Sequence, residues 1–230
     1  MLAVAGRTHE FLVETLLQLD AAKEPDAARR FLNTIDRQSR RLEAMVLDLL
    51  DLSRLESPAA RYEPHELDVQ TELDELRARF AERIEAKHIA WETVALDGAA
   101  RKLLVHPHLL RLVLDNLVDN AIKFTEPGGH VRVTCAGSPE WISFEVADDG
   151  CGIPEAEQQR VFERFYQVER ARSGEDRGTG LGLSIVRHAA AAMGGKASLE
   201  SAPGQGTRVT VQLPLPRAAG VDRSLRESSP

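Results

Sequence analysis

Residues 177–186 read Arg-Gly-Thr-Gly-Leu-Gly-Leu-Ser-Ile-Val, with glycines on alternate positions before an apolar run. Gly178, Gly180 and Gly182 can adopt positive φ and let other groups come close to the backbone. Several amide N–H groups can then converge on one anion at the start of a helix. The pattern matches neither GxGxxG nor GxxxxGK[ST], and alone it is also typical of a structural turn. With the blocks upstream of it, it predicts a phosphate-binding loop.

A second block lies at residues 115–125 and reads Asp-Asn-Leu-Val-Asp-Asn-Ala-Ile-Lys-Phe-Thr. The apolar spacing over residues 109–121 predicts an amphipathic helix. Offsets of four and seven place Asn116, Asn120 and Lys123 along one face of that helix. Amide oxygens suit a hard Mg²⁺ ion, and an ammonium group suits phosphate. This face is therefore predicted to bind a metal–nucleotide complex.

A third block, at residues 148–154, reads Asp-Asp-Gly-Cys-Gly-Ile-Pro and follows a strand-like run at residues 141–146. An aspartate at this place can accept a hydrogen bond from an exocyclic amino group such as that of adenine. Gly150 and Gly152 let the chain turn beneath the base. The block therefore predicts a base-binding turn at the end of a strand.

In this order and spacing, the three blocks resemble the N, G1 and G2 boxes of the GHKL ATPase superfamily, specifically its sensor histidine kinase branch. Residues 160–166, Arg-Val-Phe-Glu-Arg-Phe-Tyr, are similar to the F box of that family, and residues 204–207, Gly-Gln-Gly-Thr, to its last glycine box. The resemblance covers residues 66–216. The run Leu-Glu-Ala-Met-Val-Leu-Asp-Leu-Leu-Asp-Leu-Ser-Arg at residues 42–54 resembles the second helix of the dimerisation and phosphotransfer domain of histidine kinases, and this second resemblance covers residues 2–56. Together they imply ATP and Mg²⁺ as cofactors.

The resemblance implies a role for each matching position. Asn120 would be the Mg²⁺ ligand, and Asp148 would bind adenine. Lys123, with either Arg164 or Arg170, would approach the phosphates. The other implied nucleotide-binding positions are Asn116, Phe124 near the base, Gly150, Gly152, Ile153, Gly178, Thr179, Gly180, Leu181, Gly182 and Thr207, with residues 178–182 closing a lid.

One position separates the branches of the superfamily. The gyrase and MutL branches carry a glutamate that activates water four residues before the metal asparagine, and here that residue is Asn116. A neutral amide is not a general base, so the γ-phosphate is expected to pass to a protein side chain. Asp115 lies about 100° around the helix and is a poor substitute. On this helix, Asn116 and Lys123 are the positions that we expect to take part in phosphoryl transfer.

The expected fold is α+β: an N-terminal helical hairpin followed by a GHKL (Bergerat) α/β sandwich, with a mixed sheet under three helices. Residues 2–20 and 26–56 carry helical periodicity, and Pro25 can open the second helix. The hairpin has more apolar surface than two helices can bury, which predicts a homodimer through a four-helix bundle. The predicted domains are the hairpin at 1–57, a linker at 58–65, the ATP-binding domain at 66–216 and a disordered tail at 217–230.

Within the ATP-binding domain, the pattern predicts further elements. The strands are expected at residues 67–69, 89–94, 131–135, 141–147, 197–201 and 207–213. The helices are expected at residues 72–87 and 155–162, and from the glycine loop (residues 178–182) to residue 193.

The phosphate-accepting histidine is the open point of the sequence. His9 is the one histidine before residue 57, and Glu10 supplies the acidic neighbour that the family pattern requires, but no proline follows soon after. When the family pattern is aligned without gaps backwards from Leu49, the expected histidine falls at about residue 1 or 2. Three alternatives follow: the acceptor lies before Met1, it is His9, or it lies elsewhere.

Composition sets the remaining limits. The chain has 230 residues, 43% hydrophobic and 28% charged, with a net charge of −7, which gives no reason to expect nucleic acid or an anionic membrane as partner. Two cysteines indicate neither a disulfide framework nor a zinc site. No apolar run of about 18 residues and no signal-peptide pattern occur, which predicts a cytoplasmic chain, compatible with the soluble part of a membrane-anchored sensor.

The sequence thus predicts a histidine kinase core that binds Mg-ATP, autophosphorylates and passes the phosphoryl group to an aspartate of a response regulator receiver domain. Two alternatives belong to other classes. One is an ATP-binding docking module that lacks its acceptor histidine. The other is an anti-sigma-type serine/threonine kinase, which shares Asn116 but has no dimeric hairpin before the ATP-binding domain.

Overall fold

The computed structural model describes residues 25–57, 62–95, 102–138, 140–168 and 178–215. His9, Arg170, the first helix of the predicted hairpin and the predicted tail lie outside these residues. The helices are α1 (Pro25–Glu56), α2 (Val69–Ala86), α3 (Pro107–Phe124), α4 (Glu155–Gln158) and α5 (Gly182–Ala192), with a 3₁₀ turn at Arg160–Phe162. The strands are β1 (His65–Asp68), β2 (Ala90–Ala95), β3 (Lys102–Val105), β4 (His130–Gly137), β5 (Trp141–Asp148), β6 (Lys196–Ser201) and β7 (Thr207–Pro214).

Five strands form one mixed sheet in the order β2-β4-β5-β7-β6. The pair β2–β4 is parallel, and the other neighbouring pairs are antiparallel. In the β5–β7 register Asp148 lies opposite Thr207, so two predicted site residues that are 59 positions apart become neighbours where β5 ends and β7 begins. The α+β class and the mixed sheet are therefore confirmed.

Helices α2, α3 and α5 form the layer that covers the sheet, and α3 packs against both α5 and β5. Its apolar period predicts this position, because one side of α3 is buried throughout its length. The buried residues are Leu109, Leu110, Val113, Leu114, Leu117, Val118, Ala121 and Ile122. The opposite side of α3 carries the polar positions Asn116, Asn120 and Lys123, which are only partly buried.

Side-chain caps fix where α2 and α3 begin. The carboxylate of Asp68 accepts a hydrogen bond from the backbone N–H of Thr71 at 2.9 Å. His106 Nδ1 accepts from the N–H of Leu109 at 3.3 Å, with Pro107 as the next residue. Both arrangements satisfy backbone donors that a helix leaves unpaired at its start. The caps therefore set the first residue of each helix.

The long helix α1 packs on α5. Met45 and Leu52 of α1 form a small buried cluster with Leu181 and Ile185, separate from the main core. The side chains of these four residues are at most 2% exposed. This cluster seats α1 directly beside the glycine loop. Among the described helices, none combines the length and the apolar character that a membrane crossing requires.

Three elements differ from the sequence-based expectation. The strand β3 was not predicted, and it pairs with β1 in a separate two-stranded antiparallel sheet. The first strand was expected at residues 67–69, but it ends at Asp68. Asp68 caps α2, and Val69 is buried in the first turn of that helix. The helix predicted at 155–162 is divided into α4 and the 3₁₀ turn, and α4 buries none of its residues.

Candidate functional site

A cavity of about 890 Å³ lies between α1, α3, the turn after β5 and the glycine loop. It brings together residues that lie far apart in the sequence. Of the residues singled out in the sequence, those that line it are Asn116, Asn120, Lys123, Phe124, Asp148, Gly152, Ile153, Gly178, Thr179, Gly180, Gly182 and Thr207.

The polar face of α3 meets the glycine loop at very short range. Asn116 Nδ2 donates to the carbonyl of Leu112 at 2.8 Å, which turns the Oδ1 atom towards the loop. A Cβ atom on Gly182 would lie 2.8 Å from that oxygen, and one on Gly178 would lie 2.7 Å from Lys123 Nζ. Both glycines are therefore required by the close approach of the loop to α3.

Lys87 holds the end of α3 that carries Lys123. Its Nζ atom donates to the carbonyl oxygens of Ile122, Lys123 and Thr125 at 2.9, 3.0 and 3.1 Å. These carbonyls have no partner inside the helix, and a lysine at this position also suits the negative end of the helix dipole. Lys123 Nζ in turn lies 5.2 Å from the centroid of the Phe124 ring, within range of a cation–π contact.

Asp148 ends β5 and is held by backbone donors. Its Oδ1 atom accepts from the N–H of Gly150 at 2.9 Å and from the N–H of Thr207 at 3.2 Å. Burial raises the pKa of Asp148 to about 6, although these two hydrogen bonds act in the opposite direction. Both bonds end on Oδ1, so Oδ2 keeps its lone pairs for a donor that enters the cavity.

Two glycines let backbone pack on backbone beneath the cavity. Gly152 has φ +67° and Gly206 has φ +79°. A Cβ atom on Gly152 would overlap the carbonyl of Ala202, and one on Gly206 would overlap the carbonyl of Asp148. The turn after β5 and the last glycine box therefore depend on each other, which fixes the position of Asp148.

Three of the predicted positions do not line the cavity. Gly150 is buried beneath Phe124 and acts on the site through its hydrogen bond to Asp148. Leu181 is fully buried in the cluster with α1. Arg164 forms an ion pair with Glu56 at the end of α1. The predicted phosphate contact of Arg164 stays a prediction, as do the roles of Arg170 and His9, which lie outside the described residues.

Sequence reasoning missed the contribution of α1 to this cavity. Arg40, Arg41, Ala44 and Asp48 line it, together with Gln167 and other residues outside α1. Their spacing is that of one face of a helix, but every amphipathic helix shows such a face. The pattern alone does not say that this face meets the nucleotide-binding domain rather than another helix.

The residues on α3 fit a magnesium ion. Among the residues that the structure describes, no group of three or more His, Cys, Asp or Glu is placed to hold a metal. Magnesium, however, is commonly bound through one or two protein oxygens together with water and substrate phosphates. The amides of Asn116 and Asn120 both face Gly182, with the Asn120 Nδ2 atom 3.6 Å from the position of a Gly182 Cβ. A 180° flip of the Asn120 amide group puts its Oδ1 atom where Nδ2 now lies.

Two family models match the chain. The model described as "Histidine kinase-, DNA gyrase B-, and HSP90-like ATPase" matches residues 105–217. The model described as "His Kinase A (phospho-acceptor) domain" matches residues 10–58. The first match includes the whole polar face of α3 and the glycine loop, and the second includes α1.

Curated relatives and solved structures agree with these models. Sensor histidine kinase RppB of Synechocystis sp. is 36% identical over 203 residues, which are 88% of this chain and 44% of that protein. The chain therefore spans less than half the length of that relative. A crystal structure of full-length ShkA in complex with AMPPNP is 27% identical, with a TM-score of 0.69, over 83% of this chain and 39% of ShkA. Histidine kinase ThkA in complex with response regulator protein TrrA shares the fold at 24% identity, with a TM-score of 0.72, over 94% of this chain and 58% of that one.

The raised pKa of Asp148 gives a test of its environment. A carboxyl with a folded-state pKa of about 6 and an ordinary value of 3.8 holds its proton more tightly when folded. Its stabilising contribution is complete below about pH 4 and is lost as the pH rises to about 6. We expect Asp148→Asn, which keeps an oxygen for Gly150 and Thr207, to gain about 1–3 kcal/mol relative to the wild type across that range. Urea unfolding of both proteins at about pH 4 and about pH 7 measures this gain, and a constant difference would contradict it.

Proposed function

The chain belongs to the sensor histidine kinases, and on that premise we propose that it binds Mg-ATP, autophosphorylates on a histidine and passes the phosphoryl group to an aspartate of a response regulator. In this proposal residues 1–57 form the phosphotransfer hairpin, and residues 66–216 form the ATP-binding domain. The observation that carries the proposal is the cavity in which Asn120, Lys123 and the glycine loop converge on one space with Asp148.

The cavity supports an adenine nucleotide as the phosphoryl donor. Asp148 presents an oxygen to an exocyclic amino group, which adenine has. Lys123 supplies a positive charge, and the loop before α5 supplies backbone amides at the start of a helix, where an anion is favoured. The AMPPNP complex of the related ShkA supports the same choice of nucleotide.

Asn120, with Asn116 beside it, is the residue that we assign to magnesium. A bound Mg²⁺ ion would neutralise charge on the β- and γ-phosphates as the phosphoryl group leaves. The chain itself orients the phosphates through Lys123 and the glycine loop, and it positions the base through Asp148. Catalysis in this reaction class rests mainly on such positioning and on charge neutralisation.

The side chains of α3 favour transfer to a protein group over hydrolysis. The two acidic residues of α3 are each paired with an arginine of α2: Asp115 with Arg79 at 2.8 Å and Asp119 with Arg83 at 2.5 Å. Asn116 is a neutral amide and cannot take a proton from water. Helix α3 therefore offers no available carboxylate that would serve as a general base beside the γ-phosphate.

A histidine on the hairpin is the proposed acceptor, because a neutral imidazole oriented by a carboxylate is a sufficient nucleophile towards a γ-phosphate. The phospho-acceptor model matches residues 10–58 and so begins next to His9. His9, a histidine before Met1 and another acceptor stay as the alternatives. The same match supports a histidine kinase over an anti-sigma-type kinase, which has no such hairpin.

We further propose that the chain works as a cytoplasmic homodimer and that its partner is a response regulator receiver domain. The ThkA–TrrA complex shows a partner of this kind on a protein with the same fold. Helix α1 also exposes apolar side chains on the sides that do not face α5, as a four-helix bundle requires. These residues are Leu32, Val46, Leu47 and Leu50, each 49–56% exposed.

Phosphoryl transfer can be measured with ATP that is labelled at the γ position. We expect the wild-type chain with Mg²⁺ to acquire a label that is lost in acid, as a phosphohistidine is. Asn120→Asp is expected to lower the rate of labelling by about 100-fold or more, because a carboxylate at this position adds a charge beside the phosphates and disturbs the metal site. A rate that is unchanged in this variant would contradict the assignment of Asn120.

His9→Gln in the same assay separates the alternatives for the acceptor. Acid-labile label that disappears in His9→Gln would identify His9. Label that persists would place the acceptor elsewhere in this chain. No label on wild-type protein that still binds ATP would indicate that this chain does not carry the acceptor, as expected if that histidine lies before Met1.

Dimerisation has its own test. We expect the 25.4 kDa chain to sediment as a dimer. Leu47→Glu, which puts a charge on the exposed apolar side of α1, is expected to weaken the dimer by about tenfold or more. The matched control is Leu104→Glu on β3, where the leucine is similarly exposed. A monomer at every concentration of the wild-type protein would refute the proposed bundle.

A further inference from the structure

One face of α1 packs against the ATP-binding domain. Arg41, Met45, Asp48 and Leu52 follow one another at intervals of four, three and four residues, which places them on a single stripe of the helix. Met45 and Leu52 are each 2% exposed and pack against the fully buried Leu181. The two charged members of the stripe are thereby held at the glycine loop.

Arg41 reaches the residue at which the loop meets Lys123. Its Nη2 atom donates to the carbonyl of Gly178 at 3.3 Å, a carbonyl that also accepts from Gln167 Nε2 at 2.5 Å. On the α3 side, Lys123 Nζ lies 2.7 Å from the position that a Cβ atom of Gly178 would take. An arginine from the hairpin and a lysine from the catalytic domain therefore converge on one glycine, and both line the cavity.

Two converging cations favour an anion between them. Like charges repel at short range, and a phosphate that binds both converts this repulsion into two attractive contacts. A guanidinium group offers several N–H donors in a planar fork that matches the oxygens of a phosphate.

Asp48 binds the next residue of the loop. Its Oδ2 atom accepts from the hydroxyl of Thr179 at 2.6 Å. It lies seven residues after Arg41, about 10 Å further along the helix axis. Helix α1 therefore presents a positive group at Gly178 and a negative group at Thr179. The negative group holds the loop at the residue next to Gly178.

We infer that Arg41 is a phosphate-binding residue of the nucleotide site, supplied by the phosphotransfer hairpin rather than by the ATP-binding domain. The inference rests on the proposed function, because it requires a nucleotide in the cavity. It means that the phosphates of ATP contact both domains when α1 is seated on α5. A nucleotide with a long phosphate chain then holds the two domains together, and AMP does not.

Nucleotide affinity of the full chain tests this inference. Titration calorimetry with Mg-ATP and with AMP is carried out on the wild type, Arg41→Gln and Arg41→Lys. We expect Arg41→Gln to weaken ATP binding by about tenfold to 100-fold, the effect of losing one charge-assisted contact, and AMP binding by less than about twofold. Arg41→Lys is expected to recover part of the loss, because it keeps the charge. Arg30→Gln, on an exposed part of the same helix, is the matched control and is expected to bind as the wild type does.

Two results would overturn the inference. An equal loss of ATP and AMP affinity in Arg41→Gln would show that Arg41 only supports the loop through Gly178. An unchanged ATP affinity would show that the phosphates do not reach it. A wild-type chain that binds no Mg-ATP would instead refute the proposed function itself, so the two failures are distinguishable.

Discussion

The close approach of the glycine loop to the polar face of α3 is the constraint on which the rest of the structure depends. Asn116 and Lys123 reach within 2.8 and 2.7 Å of the positions where Gly182 and Gly178 would carry a Cβ atom. Such distances can be kept only if α3 does not move. The buried apolar side of the helix, the cap at His106 and the three hydrogen bonds from Lys87 all serve to hold it. The hydrophobic core therefore sets the geometry of the site, because a shift of α3 on the sheet would displace the polar face from the loop.

The same loop also joins the two parts of the chain. Its glycines line the cavity, while Leu181 between them is buried against Met45 and Leu52 of α1. Thr179 and Gly178 bind Asp48 and Arg41 of the same helix. Burial raises the pKa of Asp48, although its hydrogen bond to Thr179 acts in the opposite direction. A change in how α1 packs therefore changes the glycine loop, and a ligand that binds this loop must act back on α1 through the same contacts.

Local patterns predicted the parts of the site that lie on one element. The shared face of Asn116, Asn120 and Lys123 follows from the period of a helix. The glycines predict the loop, and the structure shows that two of them are needed for its contact with that face. Long-range contacts were not predictable in this way. The neighbourhood of Asp148 and Thr207 depends on strand register, and the contact of Arg41 with Gly178 spans 137 residues. The strand β3 is four residues long, with only two of them buried, and is too short to give a clear period.

We propose that this cavity holds Mg-ATP with its phosphates at the glycine loop. A crystal structure of the full chain with Mg²⁺ and AMPPNP would test this proposal. We expect the adenine amino group within hydrogen-bonding distance of Asp148, the metal at Asn120 and the phosphates between Lys123 and Gly178. A nucleotide bound in the opposite direction, or outside the cavity, would contradict it.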